Sequence, residues 1–135
     1  MNPTAEESYR ILGLTLAQSG QLDEAERVMR EAVELPGGSI YAKGVLGFVL
    51  ARSGQLAKAR QLLDELVARA ERGYVSPVVF ALLHIGLDER DRALDWVERA
   101  HEERRGWLAY LRVNALFDPL RGAPRFEALA RRMKL

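Results

Sequence analysis

Few side chains in this 135-residue chain have chemistry to offer. His84 and His101 are its histidines, and there is no cysteine, so a thiolate zinc site, a disulfide framework and a cysteine nucleophile are excluded together. No His-Glu-x-x-His spacing occurs, which leaves a zinc centre without ligands. Acidic groups cluster at Asp88, Glu89 and Asp91 and again at Glu102 and Glu103. Carboxylates do acid–base work when burial splits their pKa values, but these fall at a turn and near a helix end, where water solvates them. Ser19, Ser39 and Ser53 occupy turn and cap positions with no His and Asp arranged around them. Pro36-Gly37-Gly38 is a helix stop, not a phosphate-cradling loop, because no strand leads into it. Arg121, Arg125, Arg131, Arg132 and Lys134 form a basic C-terminal run against Glu127. It reads as the solvated face of an amphipathic helix, with arginines near the negative end of the dipole. His84 lies on a packing face and His101 follows Ala100, both core or half-buried positions. Catalytic residues, metals and cofactors are therefore not expected.

The bulk composition narrows the remaining classes. With 48% hydrophobic and 29% charged residues, the chain is expected to fold as one globular domain with a real core. Seventeen Arg and three Lys face 19 acidic residues, so the net charge of +1 gives no field for a nucleic-acid partner. The apolar runs at 45–51 and 78–83 fall short of a membrane span. Residues 1–20 lack the basic start and apolar run of a secretory signal. The expectation is a cytoplasmic protein with neither a nucleic-acid nor a membrane partner.

What positions these residues is a repeat. AQSGQLDEAE at 17–26 returns as ARSGQLAKAR at 51–60, and sliding the chain by 34 keeps several columns in step. Gly13 falls on Gly47 and Ala81, Leu12 on Leu46 and Phe80, Ala25 on Ala59 and Ala93, and Gly20 on Gly54 and Asp88. A fixed period of this length signals stacked supersecondary units, because one unit cannot bury its own apolar face.

Each unit reads as two helices. The first opens with Thr4 as N-cap and Glu7 completing a capping box, continues through Tyr9, Leu12, Gly13 and Leu16 at helical spacing, and stops at Ser19-Gly20. A second helix runs from about Leu22 to Leu35, with Val28 and Met29 on its apolar face, until Pro36-Gly37-Gly38. The next unit begins with Ser39 as cap, turns at Ser53-Gly54 and ends near Gly73. The third starts at Ser76-Pro77, cap followed by the proline favoured at the first helical position, and turns between Gly86 and Asp88. Gly within a helix costs about 1 kcal/mol relative to Ala, so Gly13 and Gly47 are expected where helices approach closely, opposite Ala25 and Ala59. Beyond the repeats, 107–113 reads as a short helix, 118–122 as a turn and 124–134 as a capping helix. Trp107 and Tyr110 are expected in the core, and Phe126, Leu129 and Met133 on the capping helix's apolar face.

With small residues at the eighth and twentieth positions of a 34-residue unit, the chain resembles the tetratricopeptide repeat family over about residues 6–105. Units would begin at Glu6, Ile40 and Tyr74 and span about 6–39, 40–73 and 74–107, with a cap over 108–135. Departures occur: Tyr9, Lys43 and Pro77 share a usually aromatic column, and Leu16, Leu50 and His84 one that is usually tyrosine. The tail from Glu98 to Met133 resembles the C-terminal end of bacterial tetratricopeptide arrays, with Asp118-Pro119 kept and Ala123-Pro124 replacing an Asp-Pro. The resemblance implies an all-α, right-handed solenoid of three helical hairpins plus a cap. It also implies a non-enzymatic module that binds a protein or peptide in a concave, largely apolar groove.

Carried over column by column, that groove is lined by Arg10, Leu14, Tyr41, Phe48, Arg52, Val78, Leu82 and Ile85. Phe48 is then the apolar anchor, with Arg10 and Arg52 as orienting charges. Leu14 and Leu82 stand where chaperone-binding members need polar side chains, so a carboxylate clamp is not expected. The same strip could be covered by residues 107–134 of the chain itself. An assembly module that self-associates through the outer face of its first unit, Val28 and Met29 included, is the alternative to an open groove. The chain could also be the C-terminal tail of a larger bacterial regulator.

Overall fold

A computed structural model describes residues 5–35, 40–103, 120 and 122–132, with side chains from residue 8 onward. Among the described residues there are seven helices and no strand: α1 (Ala5–Gln18), α2 (Leu22–Glu34), α3 (Ile40–Arg52), α4 (Leu56–Ala70), α5 (Pro77–Gly86), α6 (Arg90–Glu102) and α7 (Pro124–Arg132). The Thr4–Glu7 capping box, the Ser39 cap, the helix expected over 107–113, Trp107, Tyr110 and Met133 lie outside the described residues. Ser76 caps α5 as expected: its hydroxyl accepts from the Val78 amide at 3.3 Å, and Pro77 stands at the first turn.

The repeated ten-residue phrase encodes a helix stop. After α1, the Gly20 amide donates to the Ala17 carbonyl at 3.2 Å and the Gln21 amide to Leu16 at 2.9 Å. This nested pair is a Schellman motif, which needs a left-handed residue at its apex; Gly20 supplies φ +85°. The second turn repeats it, with Gly54 donating to Ala51 at 3.1 Å, Gln55 to Leu50 at 2.9 Å, and Gly54 at φ +87°. The Ser19 and Ser53 hydroxyls each donate back to a carbonyl, Leu16 and Leu50, at 3.0 Å. At the third turn the backbone bonds recur, Asp88 to Ile85 and Glu89 to His84, although Asp88 must hold φ +59°.

Consecutive helices pair as hairpins, α1 with α2, α3 with α4 and α5 with α6; α2 also packs on α3, and α3 lies between α1 and α5. Small residues permit this. A Cβ on Gly13 would overlap the Met29 sulfur, and one on Gly47 would overlap Leu83 while reaching Leu62 at 3.5 Å. The close approach therefore exists at both glycines, but the facing residues are Met29, Leu83 and Leu62 instead of Ala25 and Ala59. Those two alanines, with Ala93, are fully buried. Val28 and Met29, expected on an outer face, are also interior, because α2 is clasped between α1 and α3. Each such buried large side chain contributes about 1.5–3 kcal/mol.

At the far end α7 sits on α6 with Phe126 and Leu129 buried. The basic run is not simply solvated there. Arg125 forks onto Glu98, Nε to Oε1 at 2.9 Å and Nη2 to Oε2 at 3.2 Å; it also bonds Asp95 and reaches the Asp91 carbonyl at 3.3 Å. The hydrogen bond from Arg125, opposed by burial, holds the Glu98 carboxyl below the ordinary carboxylate range. Arg131 and Arg132 are exposed, as expected.

Candidate interaction surface

The columns implied by the resemblance map onto first helices: Arg10 and Leu14 on α1, Tyr41, Phe48 and Arg52 on α3, and Val78, Leu82 and Ile85 on α5. Their environments split sharply. Phe48 and Leu82 are 4% exposed, Ile85 3% and Val78 1%. The expected apolar anchor and its three α5 neighbours are thus interior, not the open floor of a groove. The physical reason on the α3 side is how close α5 comes. A Cβ on Gly86 would lie 3.0 Å from the Phe48 Cα and 3.1 Å from its carbonyl oxygen, and one on Gly44 would lie 3.0 Å from Val79. Positions 44, 48 and 51 therefore form a seam against the next first helix.

What remains accessible is the α1–α3 end of the same strip. Leu14 and Tyr41 are half-buried. The Arg10 guanidinium lies 5.4 Å from the Tyr41 ring centroid, and Arg52, exposed at the end of α3, lies 5.7 Å from that of Phe48. A guanidinium over a ring is attracted by its quadrupole, about 0.5–1 kcal/mol at exposed sites. Neither arginine has a carboxylate partner among the described residues. The strip is thus a pair of positive charges laid over aromatic faces, and this arrangement suits an anionic partner with apolar contacts beside its charge.

A second accessible region, not anticipated from the sequence, surrounds the α4–α5 connection. Clefts of about 340 and 220 Å³ share Gly73 and Tyr74. Arg69 and Arg72 line the first. In the second, Trp96 stacks on Phe80 with centroids 4.5 Å apart, and Arg99 lies 5.4 Å from the Trp96 ring. The Tyr74 hydroxyl donates to Glu103. The signal available in sequence was the Arg69-x-x-Arg72-Gly73-Tyr74 run between two helices.

The titratable residues weighed at the outset meet at the third turn. His84 is buried, as expected, and its Nδ1 lies 2.8 Å from Glu89 Oε1, while Arg60 of α4 donates to Glu89 Oε2 at 3.0 Å. Burial pushes the Glu89 carboxyl up, but the bonds from His84 and Arg60 outweigh it and hold the pKa below 4.5. An ionised carboxylate only accepts, so His84 carries its proton on Nδ1. Glu89 is therefore a half-buried structural partner and not the solvated turn residue expected. No group of three or more His, Cys, Asp and Glu that could hold a metal occurs among the described residues. No described helix is long and apolar enough to cross a membrane.

Residues 16–76 match a tetratricopeptide repeat family model. The match runs from the end of α1 through the whole α3–α4 hairpin to the start of α5 and covers the first two Ser-Gly turns. No curated protein and no solved structure matches the chain. The matched segment and the described residues agree in kind, since both are built of helices paired as hairpins.

Proposed function

We propose that the chain is a protein-interaction module whose three hairpins, about 6–39, 40–73 and 74–107, stack as a right-handed tetratricopeptide-like solenoid closed by a cap over 108–135. Its ligand is an acidic peptide or helix lying along α1 and α3. Arg10 and Arg52 pair with its carboxylates, and Leu14 and the Tyr41 ring take its apolar side chains. Phe48, Val78, Leu82 and Ile85 support this surface from beneath.

The observation that carries this reading is the pair of guanidiniums held over Tyr41 and Phe48 without carboxylate partners among the described residues. Charge-assisted bonds to a ligand would replace water on groups already oriented. The test uses a labelled amphipathic peptide with a Glu-rich face and its Gln counterpart, read by fluorescence anisotropy. The acidic peptide is expected to bind, more weakly as salt rises, and about ten-fold or more weakly to Arg10→Glu/Arg52→Glu. Equal binding of both peptides, or no loss in the double variant, would refute the reading. Phe48→Glu is unsuitable because it would place a charge in the interior.

A further inference from the structure

We infer that the two clefts beside the α4–α5 connection form one binding site for a small phosphate monoester that carries a flat ring, of the mononucleotide class. The phosphate lies between Arg69 and Arg72 in the first cleft, and the ring enters the second beside Trp96. The site shares no residue with the α1–α3 surface.

Charge names the ligand. Arg27, Arg30, Arg60, Arg90, Arg125 and Arg132 each meet a carboxylate. Arg69 and Arg72, which line the first cleft, and Arg99, which lines the second, meet none among the described residues. Arg92 and Arg131 also lack one there but line neither cleft. Glu103 lines the second cleft and accepts from the Tyr74 hydroxyl. The segments that adjoin the clefts in sequence have no negative side chain to offer. Residues 36–39, which lead into Ile40, and 104–117, which follow Glu103, contain neither Asp nor Glu, and Arg104, Arg105 and Arg112 add positive charge. Two guanidiniums in one cleft match a phosphate monoester, whose charge at neutral pH is about −1.5 to −2. Arginine also takes phosphate oxygens in a two-pronged fork. A lone carboxylate would leave one of the pair unmatched.

Space points the same way. Gly73 is common to both clefts. Unlike Gly20 and Gly54 it holds no positive φ, and unlike Gly13, Gly47 and Gly86 it has no atom within 4 Å of where a Cβ would stand. Neither backbone nor packing calls for glycine here; its missing side chain leaves the space shared by the clefts open. At about 340 and 220 Å³, the pair falls within the range of ligand pockets, about 300–1,000 Å³. Trp96, Tyr74, Pro77 and Val75 wall the second cleft, with the Arg99 guanidinium 5.4 Å from the Trp96 ring. Flat rings stack on aromatic side chains and on guanidinium planes. A nucleotide carries phosphate and base at opposite ends of a sugar, which suits two joined clefts of different character. Phenyl phosphate would bring charge and ring to the same one.

The test is calorimetric titration of the full chain with adenosine, guanosine, cytidine and uridine monophosphates. At least one is expected to bind, more weakly as salt rises. The matching nucleoside, inorganic phosphate and phenyl phosphate should each bind about ten-fold or more weakly. Arg69→Ala/Arg72→Ala and Gly73→Leu change exposed positions. Checked for unchanged helicity, each is expected to weaken the nucleotide about ten-fold or more. No binding by any of the four at millimolar concentration would overturn the inference. So would a nucleoside, inorganic phosphate or phenyl phosphate that binds as tightly as the nucleotide, or undiminished binding by either variant. The ligand series needs only the unmodified chain and decides the matter even if a variant fails to fold. Arg10→Glu/Arg52→Glu is expected to bind the nucleotide unchanged, so this inference and the acidic-peptide reading fail separately.

Discussion

At the second turn Gly54 takes φ +87° and the Gln55 side-chain Nε2 donates to Glu26 Oε1 of α2 at 2.7 Å. At the third, Asp88 takes φ +59° and the Glu89 carboxylate receives Arg60 of α4 at 3.0 Å. Both bridges span 29 residues and tie a turn to the second helix of the preceding hairpin. Their polarity is reversed: the carboxylate sits on the helix in one and on the turn in the other. The backbone frame repeats because a Schellman stop has one geometry, whereas the bridge requires only that donor meet acceptor. Beneath the third turn His84 replaces the Leu16 and Leu50 of the first two. A buried imidazole is tolerated there because Glu89 satisfies its Nδ1.

The largest expected effect tests how rigid the third junction is. Gly86 corresponds to Arg52 one repeat earlier, yet only Gly86 abuts backbone, at the Phe48 Cα and carbonyl oxygen. Gly86→Ala is expected to cost about 1–3 kcal/mol in urea unfolding, because main chain cannot rotate aside. Arg52→Ala should cost no more than about 1 kcal/mol, the value of its ring contact. Equal costs would mean that the α3–α5 seam is looser than described.

Next comes the turn apex. Gly54→Ala should lose about 1–2 kcal/mol, since an L-residue in the left-handed region crowds its Cβ against the carbonyl. Thermal melts would show it, and no neighbouring side chain is near enough to contribute.

The polar exchange can be isolated by rebuilding the older pattern at the third turn. His84→Leu and Glu89→Gln together recreate the Leu–Gln pairing of the first two turns. A double-mutant cycle should show coupling on the order of 1 kcal/mol; additive singles would mean His84 and Glu89 act independently. The acid limb tests the same pair. The folded-state pKa of Glu89 lies below 4.5, so its contribution is fully present above about pH 4.5 and is lost as pH falls through that folded value. Glu89→Gln should flatten this part of the limb. Glu26, through Gln55 and Arg30, and Glu98, through Arg125, shift in the same direction and should keep the rest.

The smallest effect is a gain. Asp88→Gly removes the strain of φ +59° and should stabilise by about 0.5–1 kcal/mol. No gain would mean that Asp88, whose carboxylate lies 3.3 Å from Arg90 Nε, returns in that contact what its backbone costs.

Much of the helical plan was legible in the residues. Gly20, Gly54 and Ser76-Pro77 mark where helices stop and start through local stereochemistry that no distant contact can alter. The closely packed glycines were legible too, but not their partners: Met29, Leu83 and Leu62 are flexible side chains whose placement depends on helix rotation and crossing. The candidate surface was the least legible part. Arg10 and Arg52 lie over rings at the surface, yet Phe48, Val78, Leu82 and Ile85 are buried, and an apolar column reads the same whether it faces a ligand or the next helix. The clefts around Tyr74 have no sequence signature, because Arg69, Tyr74, Trp96 and Arg99 come together only when α4, α5 and α6 pack.

By itself the sequence determined the period, the helices and the turns, since these depend on residues within one hairpin and on the conformations that Gly, Pro and Ser favour. It also determined the exclusions that follow from lacking cysteine, namely disulfides and thiolate ligands within the chain. Which face of each helix is buried and which charges are paired were decided by tertiary structure alone. Burial is a property of neighbours: Leu12, Leu46 and Phe80 occupy one column, yet Leu12 is half-exposed while Leu46 and Phe80, on helices packed against a hairpin earlier in the described chain, are buried.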